Sequence, residues 1–217
     1  MKTVAVIGTG DVGKTLAAGF LKHGYAVVIG TRDSSKMSEW IEKTGGKATT
    51  KPLAEAAASA DIILLAVLGS AGLDALEAIG AANIKGKLVL DATNPVKPVA
   101  PTGGVIGYEN CFEESLMEKY QKAFPEAHFV KGFSCMGFLV MVNPDFGGEK
   151  ASMFYCGDNE GAKAEAAKIF QQFGHDLYDC GPCAAARALE GIVPLWVLGG
   201  INKGSWNHAF KIIQTKH

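Results

Sequence analysis

Residues 3–13 read TVAVIGTGDVG, an apolar run that passes directly into the glycine motif G-x-G-x-x-G. The β-branched run Thr3–Ile7 predicts a buried strand. From Asp11 to His23 the apolar side chains return at helical spacing and a glycine follows, which predicts a helix that ends near residue 23. The glycines therefore lie in a turn between a strand and a helix, which is the context that a dinucleotide-binding motif requires.

Each glycine of the motif has a distinct task in such a turn. Gly8 permits the tight turn, Gly10 lets the backbone approach a pyrophosphate, and Gly13 lets the helix and strand pack closely. Free amide groups at the helix start, helped by the helix dipole, would bind the phosphates. We expect the Asp11 carboxylate to cap the helix and to point away from the phosphates. The cofactor contacts expected here are Gly8, Thr9, Gly10, Asp11, Val12 and Gly13.

The second predicted strand ends in residues that distinguish NADP from NAD. An NAD enzyme normally has Asp or Glu there, to bind the ribose 2′-hydroxyl. This chain has Thr31 at that position, followed by Arg32 and then by Lys36. A hydroxyl and two cations suit a 2′-phosphate, because Arg binds it bidentately and Lys adds a charge. We therefore expect NADP; an ordinary solvated basic loop is the alternative, since Asp33 offsets part of the charge.

Apolar runs and helical patterns alternate over the first two thirds of the chain. The predicted strands are Thr3–Ile7, Ala26–Ile29, Asp61–Val67, Leu88–Asp91 and His128–Phe133, and the predicted helices are 11–23, Leu53–Ala60 and Leu73–Ile79. Continuous apolar strands separated by helices predict an α/β fold with a doubly wound, mostly parallel, Rossmann-type sheet. We place the NADP-binding domain at residues 1–134. Asn94, just beyond the strand Leu88–Asp91, is a further expected cofactor contact.

Residues 135–217 are predicted to form a small C-terminal extension that contributes to the substrate cleft and to oligomer contacts. Its candidate strands are Ser152–Cys156 and Asp176–Asp179, and its candidate helices are Glu160–Phe173 and Ala184–Val197. The last helix is apolar all round and must be buried, which a homodimer would achieve more easily than one small domain. Gly103–Tyr108 and Asn143–Gly148 are predicted loops, and loops at the carboxyl ends of parallel strands are where such sheets bind ligands.

Composition narrows the possible partners. The 217 residues are 48% hydrophobic and 20% charged, with a net charge of −1, which gives no general attraction to nucleic acid or to an anionic membrane. The longest apolar candidate, Gly191–Ile201, contains a proline and is shorter than the ~20 residues that span a bilayer. Five scattered cysteines suit reduced thiols in the cytoplasm. Cys180 and Cys183 have the spacing of a redox dithiol, with a pair of packed thiols as the alternative.

Four segments together resemble the F420-dependent NADP oxidoreductase family, whose members move hydride between NADP(H) and a deazaflavin. They are residues 8–13, residues 31–36, Cys156–Asn159 before a helix, and Asp179–Pro182 with Arg187, Glu190 and Pro194 following. The resemblance implies a homodimer and cofactor contacts at Thr9, Asp11, Val12, Thr31, Arg32 and Lys36.

The resemblance also implies that the loop Val67–Ala71 lies under the cofactor, with Val67 and Leu68 in contact. The family typically has proline, an aromatic residue and histidine in that loop, where this chain has Leu68, Gly69 and Ala71. Residues 134–138 also depart from the family's usual run. These two segments would form the walls of the deazaflavin pocket.

The predicted activity is hydride transfer between NADPH and a flavin-like acceptor, namely coenzyme F420, a flavin or a quinone-like ring. The chain shows no catalytic dyad and no metal-ligand spacing, and transfer between two rings needs alignment and exclusion of water rather than a protein acid or base. A flat, dry slot for the ring is expected from Leu68, Gly69, Ala71, Gly137 and Phe138. The alternative function is a non-catalytic NADP(H) sensor or partner-binding protein.

Overall fold

A six-stranded parallel sheet forms the centre of the molecule in the computed structural model, which describes residues 1–215. The strands are β1 (Thr3–Ile7), β2 (Ala26–Gly30), β3 (Ala48–Lys51), β4 (Ile62–Leu65), β5 (Leu88–Asp91) and β6 (His128–Lys131). They lie in the order β3-β2-β1-β4-β5-β6, and every neighbouring pair is parallel. The strand order reverses between β1 and β4: β2 and β3 lie on one side of β1, and β4 to β6 lie on the other. A ligand crevice is expected at the carboxyl ends of the strands at that point. The predicted α/β Rossmann-type fold is confirmed.

Helices cover both faces of the sheet. They are α1 (Asp11–Lys22), α2 (Ser38–Lys43), α3 (Leu53–Ala58), α4 (Gly72–Ile79), α5 (Ala81–Ile84), α6 (Leu116–Ala123), α7 (Glu160–Gln172), α8 (Ala186–Gly191) and α9 (Val193–Lys203). One hydrophobic core lies between the sheet and helices α1 and α7, and a second lies between the sheet and helices α3 to α6 and α8. Because β1 and β4 are buried on both faces, their continuous apolar runs follow from their position.

The C-terminal part packs directly on this sheet. A second parallel pair, β7 (Ser152–Tyr155) with β8 (Asp176–Asp179), lies beside β6 through a bridge between Lys131 and Cys156. Helix α7 packs on β5 and β6, and its neighbour Phe173 shares a core with Phe20 of α1. The division at residue 134 stays a prediction, and residues 216 and 217 of the predicted extension lie outside the described residues.

Several elements differ from the prediction. Strand β3 and helices α2, α5 and α6 were not predicted. The predicted strands 61–67 and 128–133 are shorter at their C-terminal ends, and Phe133 has a φ of 59°, which a strand does not accommodate. The predicted helix Ala184–Val197 is a short 3₁₀ turn followed by α8 and α9, which meet at Ile192. Pro194 explains the break, because proline suits the first turn of a helix and interrupts the interior of one.

Helix α9 is only partly covered by the rest of the chain. Val193 and Trp196 are buried, whereas the Leu195 side chain is 59% exposed, so the prediction of a fully buried helix is wrong for the single chain. The helical segment Cys183–Lys203 is long and apolar enough to cross a membrane by length and composition alone. This corrects the expectation that every apolar segment falls short of that length. Arg187 and Glu190 of this segment make ion pairs with the rest of the protein.

Candidate functional site

A cavity of about 670 Å³ opens at the carboxyl edge of the sheet, within the size range of small-molecule sites. It extends from the end of β2, past β1 and β4, to the end of β5. Its lining residues are Ile7, Gly8, Thr9, Gly10, Asp11, Val12, Arg32, Leu53, Ala66, Val67, Leu68, Ala71, Asp74, Ala75, Ala78, Ala92 and Phe138. The cavity therefore lies at the point where the strand order reverses.

The glycine motif forms one wall, and its three glycines are not equivalent. A Cβ at Gly8 would lie 2.2 Å from the Ala66 carbonyl oxygen, and a Cβ at Gly13 would lie 2.3 Å from the Gly8 oxygen. Gly10 has nothing within 4 Å of such a Cβ, and it stands at the N-terminus of α1. Gly8 and Gly13 thus allow close packing, while Gly10 leaves backbone open toward the cavity. This cradle fits the pyrophosphate of a dinucleotide.

Asp11 does not have the position predicted for it. The N-cap of α1 is Gly10, whose carbonyl oxygen accepts the Lys14 N–H at 2.9 Å, and no side chain caps the helix. Asp11 is instead the first residue of α1 and lines the cavity. The prediction that it caps the helix is wrong, because the extended backbone of a cap residue occurs one position earlier. Its carboxylate adds negative charge at the positive end of the helix dipole.

The loop after β2 presents one cation to the cavity. Arg32 lines the cavity, whereas Thr31 and Lys36 are outside the lining residues. The Thr31 hydroxyl donates to the Asp33 carbonyl oxygen at 2.9 Å and accepts the Asp33 N–H at 3.1 Å. Hydrogen bonds from Ser35 lower the pKa of Asp33, whose side chain caps the 3₁₀ turn Ser34–Met37. Thr31 and Asp33 therefore shape the loop, and Arg32 is the residue of this loop that lines the cavity.

The opposite end of the cavity is apolar. Val67 and Leu68 after β4, Ala92 after β5 and Phe138 after β6 line it. Gly69 and Gly137 do not belong to this wall, contrary to the predicted slot. A Cβ on Gly69 would lie 2.3 Å from the Asn94 carbonyl oxygen, and a Cβ on Gly137 would lie 2.7 Å from the Trp196 ring. Both glycines are needed for packing behind the wall.

Asn94 is also behind the wall and outside the lining residues. Its side-chain amide donates to the Ser134 carbonyl oxygen at 2.9 Å, which joins the loops after β5 and β6. Its Oδ1 atom is buried without a hydrogen-bond partner among the described residues. The predicted loops 103–108 and 143–148 contribute no lining residue either.

Comparison with known proteins agrees with this geometry. The family model described as NADP oxidoreductase, coenzyme F420-dependent, matches residues 3–95. A candidate F420-dependent NADP reductase from Arthrobacter sp. FB24, known from a crystal structure, is 33% identical with a TM-score of 0.92, over 99% of this chain and 100% of that one. The chain belongs to the F420-dependent NADP oxidoreductase family.

Two further relatives support an NADP-dependent oxidoreductase. The F420-dependent NADP reductase of Methanothermobacter thermautotrophicus is 28% identical over 212 residues, which are 91% of this chain and 88% of that protein. The human metalloreductase STEAP2 is 26% identical over 194 residues, which are 88% of this chain and 35% of that protein.

The two C-terminal segments that carry the family resemblance contact each other in this oxidoreductase. The Gly157 N–H donates to the Gly181 carbonyl oxygen at 3.1 Å, and the Cys183 N–H donates to the Asp158 carboxylate at 2.8 Å. Asn159 caps α7 through the Ala162 N–H. These contacts fix the start of α7 against the segment that leads into α8, so their role is structural.

A buried ionic cluster was not predicted from the sequence. The Lys131 ammonium lies 2.7 Å from an Asp91 carboxylate oxygen, 2.7 Å from a Glu190 carboxylate oxygen and 2.8 Å from the Thr93 carbonyl oxygen. All three charged side chains are fully buried. Burial alone would lower the pKa of Lys131, but the two carboxylates outweigh burial and raise it. One signal was available: Asp91 and Lys131 are charged residues at the ends of two adjacent apolar strands.

The Cys180 and Cys183 pair does not have the properties of a reactive dithiol. Both are free thiols; Cys180 is half-buried and Cys183 is buried. Burial raises the pKa of both, that of Cys183 to about 12, whereas a redox thiol requires a lowered pKa. Packed thiols are thus the better interpretation. Among residues 1–215, no group of three or more His, Cys, Asp or Glu side chains is arranged to hold a metal ion.

Proposed function

We propose that the cavity binds NADPH with its pyrophosphate against Gly10 and the N-terminus of α1. Arg32 then faces the 2′-phosphate, and the nicotinamide lies toward Leu68, Ala92 and Phe138. The extent of the cavity supports this placement, because Arg32 follows β2 and Ala92 follows β5, on opposite sides of the β1–β4 reversal. One cation, an open backbone segment and an apolar end follow one another along the cavity, in the order of the 2′-phosphate, the pyrophosphate and the nicotinamide of the dinucleotide.

We further propose that the acceptor is a flavin-like ring, such as coenzyme F420, a flavin or a quinone-like ring. When bound, NADPH supplies the hydride. The protein's contribution is to align the two rings and to exclude water through Leu68, Ala92 and Phe138. The observation that carries this proposal is the apolar end of the cavity: its described lining residues include no His, Lys or Tyr that could serve as acid or base. Hydride transfer between two rings needs none.

NADPH consumption tests this proposal. The protein is assayed with deazaflavin, riboflavin and quinone acceptors, with NADH in place of NADPH as the control for the 2′-phosphate. We expect NADPH oxidation with at least one ring and weaker activity with NADH. Turnover with a small carbonyl or hydroxy acid, and with none of the rings, would contradict it.

We also propose that the protein is located in the cytoplasm and forms a homodimer. The five free thiols suit the reducing conditions of the cytoplasm, where thiols stay unpaired. The exposed apolar side chains of α9 suit a homodimer that covers them.

A further inference from the structure

We propose that Tyr120 is a positioning residue for the nicotinamide end of the cavity. Its hydroxyl holds the loop after β4 and the loop after β5 at a fixed separation, so that Leu68 and Ala92 form a defined wall against the nicotinamide. This inference rests on the proposed function, since it assumes that NADPH occupies the cavity. Tyr120 belongs to α6, is fully buried and lies outside the lining residues, so it acts through the two loops and does not touch the cofactor.

The two loops contact the cavity and Tyr120 through consecutive residues. Leu68 and Ala92 line the cavity, and the residue that follows each of them contacts the Tyr120 hydroxyl. The hydroxyl lies 3.3 Å from the carbonyl oxygen of Gly69. It also lies 3.3 Å from the hydroxyl oxygen of Thr93. One side-chain oxygen of α6 therefore joins two segments of the wall from behind.

A single proton serves both of these contacts. The Thr93 hydroxyl lies 2.7 Å from an Asp91 carboxylate oxygen and donates its own proton there, because a carboxylate paired with the Lys131 ammonium accepts. The Gly69 carbonyl oxygen is also an acceptor. The Tyr120 proton is thus shared between Gly69 and Thr93. The two equal distances of 3.3 Å, longer than an ordinary O–H···O bond, agree with sharing.

The buried ionic cluster fixes both the loop after β5 and helix α6. The Lys131 ammonium donates to the Thr93 carbonyl oxygen at 2.8 Å, which ties the loop to the end of β6. The Glu190 carboxylate accepts two backbone N–H groups in the first turn of α6. The start of α4 packs so closely on the Tyr120 hydroxyl that a Cβ at Gly72 would overlap it. The hydroxyl thus has one defined position between the loops.

The hydroxyl is required in addition to the ring. A phenylalanine would fill the same space in α6 but would leave the Gly69 and Thr93 oxygens buried with one partner fewer, which lets the two loops shift. Burial and the charge of Asp91 raise the pKa of Tyr120, so its hydroxyl keeps the proton that it shares. Small shifts of the wall matter because hydride transfer depends on close alignment of the rings.

NADP⁺ and adenosine 2′,5′-bisphosphate form a matched pair of ligands for the test. The bisphosphate keeps the adenosine, the 2′-phosphate and one 5′-phosphate, and it lacks the nicotinamide half. Both ligands are titrated calorimetrically into wild type and Tyr120→Phe. We expect the variant to bind NADP⁺ roughly three- to tenfold more weakly, as for the loss of one buried hydrogen bond, and the bisphosphate within about twofold of wild type. Equal weakening of both ligands, or of neither, would overturn the inference.

The fluorescence of bound NADPH gives a second readout, which a general loss of stability does not move. An apolar wall shields the dihydronicotinamide from water, so its emission at saturation reports on contact with that wall. We expect lower emission at saturation in Tyr120→Phe than in wild type. The same emission from both proteins would also overturn the inference.

Tyr108→Phe is the matched control for loss of a buried hydroxyl. The Tyr108 hydroxyl donates to the Glu190 carbonyl oxygen at 2.7 Å, and neither Gly69 nor Thr93 is its partner. This variant also loses a tyrosine hydrogen bond near the cluster, but its ratio of NADP⁺ affinity to bisphosphate affinity should equal that of wild type. A ratio lowered as far as in Tyr120→Phe would show that any loss of packing order in this region has the same effect.

Variants of Thr93 test the other end of the link. Thr93→Val removes the second hydroxyl and should lower the affinity ratio in the same direction as Tyr120→Phe, whereas Thr93→Ser keeps the hydroxyl and should resemble wild type. A wild-type ratio in both Tyr120→Phe and Thr93→Val would overturn the inference and leave the proposed function standing. Failure of the wild type to bind either ligand would instead refute the proposed function.

Discussion

Glu190 joins Lys131 to the start of α6. One of its carboxylate oxygens lies 2.7 Å from the Lys131 ammonium, and the carboxylate also accepts the backbone N–H groups of Leu116 and Met117. Those two groups have no partner within a helix, because they belong to its first turn. One carboxylate of α8 therefore fixes the end of β6 and the N-terminus of α6 together.

Removing the cation of this cluster should be costly. Lys131→Met leaves Asp91 and Glu190 buried without their counter-charge, and we expect a loss of about 3–5 kcal/mol in the free energy of unfolding. Urea unfolding at neutral pH measures it. Lys2→Met, which removes an exposed ion pair with Glu165, should cost less than ~1 kcal/mol. A similar small loss for Lys131→Met would show that the cluster contributes little.

Acid stability should depend on Glu118. The Arg187 guanidinium donates to both of its oxygens, and this lowers the pKa of Glu118 from 4.5 to about 2. Because the pKa of Glu118 is lower in the folded protein, its charged form stabilises the fold fully above pH 4.5, and this stabilisation is lost as the pH falls through about 2. Glu118→Gln should therefore show a shallower loss of stability over this acidic range. Parallel urea midpoints for wild type and variant across the range would contradict the assignment.

Two glycine variants distinguish a binding role from a packing role. In Gly10→Ala the methyl group meets nothing in the protein, so stability should change by less than ~1 kcal/mol, while NADP⁺ binding weakens by roughly tenfold or more. In Gly13→Ala the Cβ meets the Gly8 carbonyl, and stability should fall by about 1–3 kcal/mol. Calorimetry and thermal unfolding measure the two effects. Undiminished NADP⁺ binding by the Gly10 variant would argue against the cradle.

Cofactor choice should depend on one residue of the loop after β2. Arg32→Ala should weaken NADP⁺ binding by about 1–3 kcal/mol, the range of a charge-assisted hydrogen bond, and leave NAD⁺ binding nearly unchanged. Lys36→Ala serves as the matched control, because Lys36 does not line the cavity, and its effect should be clearly smaller. Wild-type protein that binds both dinucleotides equally would refute the NADP preference.

The exposed face of α9 should be covered by a second copy of the chain. Leu195→Lys places a charge on that face and is expected to shift a homodimer toward monomer, which light scattering at micromolar concentration detects. Ile213→Lys, at another exposed apolar residue, should leave the oligomer unchanged. A wild-type protein that is strictly monomeric would remove this interface.

The parts of the fold that were predictable are those determined by local pattern. Apolar runs identified five of the six strands of the main sheet, because a strand that is buried on both faces consists of nearly continuous apolar residues. β3 was missed: it contains Thr49, Thr50 and Lys51 and lies at the sheet edge, where polar residues are tolerated. Helix α6 could have been predicted, since Ser115 and Glu118 form a capping box.

The candidate site was less predictable than the fold because lining a cavity depends on where neighbouring segments lie. The sequence motif places Gly8 to Val12 and Arg32 at the sheet edge correctly. It does not show that Asn94 turns toward Ser134, or that Trp196 covers Gly137. Both facts depend on segments that are distant in sequence. The Lys131 cluster was missed for the same reason, because Glu190 comes from a helix some sixty residues later.

The contact between Phe20 and Phe173, with ring centroids 5.1 Å apart, bears on how the chain assembles during synthesis. Phe20 belongs to the first helix, but Phe173 leaves the ribosome only when most of the chain has been made. Until then α7 and Phe173 do not yet cover one face of the parallel sheet. Contacts between residues so far apart in sequence also form slowly. The nascent chain thus passes through a stage at which a chaperone has exposed aromatic surface to bind.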